Sequence, residues 1–107
     1  MSSKKLSSQI SLLEATKNAP REMGCYQLFL EGEVKYVGKA EEGLRKRLSQ
    51  RYNGNAADYS SAKKIYVERE KITVSWQLCD SGEECKELKR EWIRELKPEW
   101  NVIGGGV

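Results

Sequence analysis

The chain contains no histidine. Every mechanism that uses imidazole as base, nucleophile or metal ligand is therefore excluded, and so is a mixed His/Cys zinc site. Cysteine is scarce as well: Cys25, Cys79 and Cys85 are an odd number with no CxxC spacing. Neither a disulfide framework nor a four-cysteine zinc site can be assembled from them, and they read as reduced thiols filling a core, as in a cytoplasmic protein. No apolar run approaches the roughly 18–20 residues of a membrane span, and the opening MSSKK has no signal-peptide core behind it. The expected location is the cytoplasm. At 107 residues the chain has room for one domain, expected to span 1–107.

Charge is nearly balanced, 19 Lys and Arg against 16 Asp and Glu for a net +3, but unevenly placed. Between Lys35 and Lys64 stand eight basic residues (Lys35, Lys39, Arg45, Lys46, Arg47, Arg51, Lys63 and Lys64) against Glu41, Glu42 and Asp58, a local +5 that leaves −2 elsewhere. A basic block among tyrosines suits a phosphate backbone, with cations to neutralise phosphates and phenols to stack or hydrogen-bond. A solvated helix face would produce the same run of charge.

Apolar spacing orders the elements. Leu6, Ile10 and Leu13 predict a helix from Leu6 to about Ala19, ended by Pro20. Strands at Gly24–Leu30 and Val34–Gly38, with Glu31-Gly32-Glu33 between them, predict a β-hairpin; whether Tyr26 and Tyr36 share a face depends on a register the sequence leaves open. Leu44, Leu48 and Tyr52 predict a helix with Glu41 and Glu42 in its first turn, stopped by Asn53-Gly54-Asn55, and a helical turn is expected around Ala62–Tyr66. Ile72–Cys79 alternates as a strand. Ser81 and Glu84 form a capping box that opens a helix from about Glu83 to Lys97, ended by Pro98. The expected architecture is a small α/β (α+β) fold: three strands, mostly antiparallel, flanked by helices. Residues 1–21 would be a helical extension and 104–107 a flexible tail.

Gly24-Cys25-Tyr26 followed ten residues later, tyrosine to tyrosine, by Tyr36-Val37-Gly38-Lys39 resembles the paired motif of the GIY-YIG nuclease family. The later parts arrive in the family's order: Leu44-Arg45-Lys46-Arg47-Leu48 is similar to its L-x-x-R-[LIW] segment, and Pro98-Glu99-Trp100-Asn101 to the P-x-[YW]-N close of its UvrC-type members. The resemblance covers about residues 22–103. It implies hydrolysis of a phosphodiester bond, in DNA rather than RNA, with one divalent metal, Mg²⁺ or Mn²⁺. By the same resemblance Tyr26 would deprotonate or orient the attacking water, Tyr36 would hydrogen-bond in the same cluster, and Lys39 and Arg47 would stabilise charge on the phosphate. Gly38, Arg45, Lys46, Arg51 and Asn101 would contribute to the nucleic-acid-binding surface.

One position departs from the pattern. The family's metal-ligand glutamate precedes an apolar pair by three residues and another apolar position by seven, which here are Trp92-Ile93 and Leu96, so that the ligand position holds Lys89. An ammonium offers no lone pair to a hard cation and would occupy its place. No divalent metal is expected with Lys89 there, and the nuclease is expected to be inactive. Three readings stay open: Lys89 replaces a natural glutamate, the metal site has been lost and the basic groove persists as a binding or interaction module, or a shifted register lets Glu91 or Glu87 supply the carboxylate. Residues 87 and 91 lie about 200° around the helix from 89, which weighs against the last. A domain this small leaves little surface for reading bases, so a homodimer or a protein partner is expected to supply specificity.

Overall fold

The structure, a computed structural model, describes residues 5–54 and 60–101. Its elements run β1 (Ile10–Ser11), α1 (Leu12–Asn18), β2 (Gly24–Leu30), β3 (Glu33–Ala40), α2 (Leu44–Asn53), α3 (Ser60–Val67), β4 (Thr73–Leu78) and α4 (Gly82–Leu96). The α+β class is as expected, but the sheet has four strands rather than three, in the order β1-β4-β2-β3, with every neighbouring pair antiparallel.

The added strand comes from the segment expected to begin the first helix. Ser11 caps α1, its hydroxyl accepting from Glu14 N–H at 3.0 Å, so the helix starts at Leu12. The residues before it stay extended and cover the open edge of β4. Ile10 pairs with Val74 and Ser11 with Thr73, and Ser7 N–H donates to the Trp76 carbonyl at 2.8 Å. A second boundary also moves. Glu41 and Glu42 lie in a loop rather than in the first turn of α2, which begins after Gly43 at a φ of 119°. A side chain at 43 would meet the Arg21 carbonyl at 2.6 Å, so the chain turns there on glycine.

The sheet divides the interior. Even-numbered residues of β2 and their partners face α1, α2 and α3: Tyr26, Leu28, Tyr36, Ala40 and Val74 pack there with Leu12, Leu44, Leu48 and Ile65. Cys25 and its neighbours face α4, where Cys79, Cys85, Met23, Leu88 and Trp92 close a second, smaller core. Helix α4 is capped as anticipated: Ser81 Oγ accepts from Glu84 N–H at 3.1 Å, and Glu84 Oε1 accepts from Asp80 N–H at 2.7 Å. Lys97, at a φ of 47°, ends it ahead of Pro98. The proposed flexible tail at 104–107 lies outside the described residues. Among the described residues, no helix is long and apolar enough to cross a membrane.

Candidate nucleic-acid interface and metal position

The hairpin register decides where the two tyrosines point. Glu31 and Gly32 both have positive φ, 54° and 83°, forming a two-residue turn that pairs Leu30 with Glu33 and Phe29 with Val34. Continued without interruption, that pairing would set Tyr36 opposite Gln27 and turn it to the face away from Tyr26. A bulge at Lys35 shifts the register by one, so that Leu28 pairs with Tyr36 and Tyr26 with Gly38. The phenols therefore share a face, with ring centroids 6.3 Å apart.

The C-terminal motif holds this irregular edge. Trp100 N–H donates to the Lys35 carbonyl at 2.8 Å, and the Asn101 side chain accepts from Val37 N–H at 2.7 Å and donates to the Val37 carbonyl at 2.9 Å. Asn101 thus takes the place of a fifth strand beside β3. Lys35 Nζ adds ion pairs to Glu99 at 2.9 Å and Glu33 at 3.3 Å, and its hydrogen bond holds the Glu99 carboxyl below the usual carboxylate range.

Between the tyrosines lies Arg51. Its Nε donates to Tyr26 Oη at 3.0 Å and its Nη2 to Tyr36 Oη at 2.7 Å, with the guanidinium carbon 4.7 Å from the Tyr36 ring centre. Only 4% of Arg51 is exposed, so this guanidinium serves the phenols from inside the core rather than standing among surface cations. Gly38 completes the cluster beneath the Tyr26 ring, since a Cβ there would stand 2.5 Å from Tyr26 Oη.

The other cations are mostly engaged locally. Arg45 Nε donates to the Ala19 carbonyl at 2.8 Å and ties α2 to the end of α1. Lys46 pairs with Glu42 at 3.0 Å, which holds the Glu42 carboxyl low, and Lys39 pairs with Glu41 at 3.0 Å. Lys39 is opposite Cys25 on β2, so it stands on the α4 face of the sheet while the phenols stand on the other. Arg47, Lys63 and Lys64 carry no ion pair among the described residues. A feature outside the family motifs is the stack of Arg69 over Tyr66 at 4.0 Å and Tyr52 at 5.5 Å, which continues the basic and aromatic surface beyond α2.

Lys89 lies one helical turn after the buried Cys85, half-buried on the α4 face turned to the sheet. Glu87 and Glu91 are exposed, and Glu87 sits 3.8 Å from Arg90, so neither carboxylate replaces the missing ligand. Among the described residues, the one group of three or more His, Cys, Asp or Glu side chains close enough to hold a cation is the three cysteines. Thiols suit soft ions, so the residues present do not fit Mg²⁺ or Mn²⁺.

Comparison with known proteins agrees with the motif order. The chain is 36% identical over 85 residues to the UvrABC system protein C of Porphyromonas gingivalis, covering 78% of this chain and 14% of that protein. It is 30% identical over 98 residues to the protein of the same description in Nautilia profundicola, covering 88% and 16%. The chain thus spans about one-seventh of the length of these relatives. Among solved structures, the GIY-YIG N-terminal endonuclease domain of UvrC from Thermotoga maritima, described as bound to its catalytic divalent cation, magnesium, shares the fold. Its TM-score is 0.69 at 24% identity, over 85% of this chain and 96% of that one. Residues 22–102 match the family model described as the UvrC-like GIY-YIG domain, and the chain belongs to that family.

Proposed function

We propose that this chain is a GIY-YIG endonuclease domain, folded to act on DNA phosphodiester bonds, that does not cleave with Lys89 in place. Family membership supports the nuclease reading, and the observation that carries the inactivity is the half-buried Lys89 on the sheet-facing side of α4, with Glu87 and Glu91 turned to solvent. An ammonium has no lone pair, so it cannot hold a hard cation or polarise a metal-bound water. What this chain's own groups do is bind and orient. Arg47 and the basic surface around it attract the phosphate backbone, while Arg51 fixes both phenol oxygens in position.

Supercoiled plasmid and branched DNA incubated with Mg²⁺ or Mn²⁺ test the reading. The chain itself is expected to leave both substrates intact, and Lys89→Glu is expected to nick or cut them; an inert Lys89→Glu variant overturns the nuclease assignment. The runner-up, a non-catalytic nucleic-acid-binding or interaction module on the same fold, is favoured by the same lysine. It predicts that Lys89→Glu stays inert while DNA binding persists with Tyr26→Phe and Tyr36→Phe. The expected setting is the cytoplasm, with a second copy or a protein partner supplying specificity.

Binding itself carries a separate prediction. Arg47→Ala is expected to weaken DNA binding evenly across sequences and to lower the slope of log affinity against log salt by about 1. Fluorescence anisotropy over a salt series measures both, and an unchanged slope removes Arg47 from the interface.

A further inference from the structure

We propose that Cys25, Cys79 and Cys85 constitute a buried trithiolate site for one soft d¹⁰ metal ion. The three come from different elements: Cys25 is the second residue of β2, Cys79 follows β4, and Cys85 ends the first turn of α4. They are all the cysteines the chain has, and the fold brings their sulfurs within 4.8 Å of one another. Three thiolates bound about 2.3 Å from a common centre lie about 3.8–4.0 Å apart, so the sulfurs need to draw in by no more than about 1 Å.

The surroundings select the ion. Met23, Leu88 and Trp92 pack around the sulfurs, and that apolar, thiolate-rich environment favours a soft ion over Mg²⁺ or Ca²⁺. Cys25 and Cys85 are fully buried, whereas Cys79 keeps 7% of its surface exposed and lies at the rim of the cluster. Cys25 Sγ–H donates to the Cys85 carbonyl at 3.1 Å, so β2 and α4 already meet at the position an ion would bridge, and loading replaces this hydrogen bond with a metal–sulfur bond. A divalent ion with three thiolates leaves one net negative charge; the backbone dipole at the start of α4 opposes it, while Glu83 and Glu84 in that turn and Glu41 near Cys85 add to it. Because the thiolate is the ligating form, loading breaks three S–H bonds, forms three metal–sulfur bonds and releases three protons to solvent, and affinity rises with pH.

The test uses the intact, reduced chain, with Cd²⁺ as the probe and Mg²⁺ as the hard-ion control. Expected are one Cd²⁺ per chain, ultraviolet thiolate-to-cadmium charge-transfer absorption, release of three protons and a higher thermal midpoint, with none of these from Mg²⁺. Outer-shell partners alone affect affinity about 10–100-fold, so Cys25→Ser, Cys79→Ser and Cys85→Ser are each expected to lose at least about 100-fold. Circular dichroism checks that each variant folds, and Cys79→Ala, at the rim, carries the test if Cys25→Ser or Cys85→Ser does not. Lack of the charge-transfer band, or Cd²⁺ binding unchanged in the folded variants, overturns the site.

Discussion

Arg51→Ala is expected to cost about 3–5 kcal/mol of folding stability, a large share of what a domain of this size has. Three losses combine. The guanidinium gives up its bonds to Tyr26 and Tyr36, the phenol oxygens it served stay buried with Tyr26 at 0% and Tyr36 at 7% exposure, and the vacated volume lies beside packed rings. At about 4–8 °C per kcal/mol, the thermal midpoint should fall by at least about 12 °C. Arg51→Lys should fall in between, because one ammonium on a flexible stem cannot reproduce a planar fork aimed at two hydroxyls. A double-mutant cycle with Tyr36→Phe isolates the bond: the two changes together should cost less than their sum. A loss below about 1 kcal/mol for Arg51→Ala in urea unfolding would show that the fork does not hold the phenols in solution.

Arg51 also shows how a site can be written in a sequence and still be misplaced. Within a run of cations it reads as a phosphate contact. Yet Leu44, Leu48 and Arg51 stand at i, i+4 and i+7, and those are the three buried positions of α2. The apolar stripe can be drawn through Tyr52 instead, and choosing between 51 and 52 requires knowing that two phenols wait across the interface. The hairpin, its turn and the closing helix were legible because caps, turn residues and alternation are local. The register was not: the bulge at Lys35 decides which face Tyr36 takes, and the bonds beside it come from Trp100 and Asn101, more than sixty residues on. Strand β1 was hidden because Leu6, Ile10 and Leu13 satisfy a helical period, while the unpaired edge of β4 offers the extended chain hydrogen bonds that no local pattern reveals. The cysteine cluster was illegible for the same reason. Cys79 and Cys85 are only six residues apart but match no metal-ligand spacing, Cys25 lies more than fifty residues before them, and only the packing of α4 on β2 brings the three together.

Gly38→Ala is expected to destabilise the domain by about 2–3 kcal/mol, near the upper end for a single added methyl. The added Cβ would stand 2.5 Å from Tyr26 Oη, 2.6 Å from Cζ and 3.0 Å from Cε1. A flexible chain end could move aside, but this ring is fully buried and its hydroxyl is held by Arg51 at 3.0 Å. Relief requires moving the ring, and moving the ring breaks the bond that orders the pair. The glycine in the second motif is therefore required by the tyrosine of the first, which lies over it across the β2–β3 pair. Tyr26→Leu makes the argument quantitative. That change carries its own cost, but on its background Gly38→Ala should cost less than about 0.5 kcal/mol, giving a coupling of about 2 kcal/mol between positions twelve residues apart. Equal costs in the two backgrounds would mean that Gly38 is needed for its backbone and not for the ring above it. In Lys89→Glu, the variant expected to cut DNA, Gly38→Ala should then reduce cleavage wherever the chain remains folded, because it displaces the Tyr26 phenol from its bond to Arg51 while leaving every charged residue of the chain in the sequence.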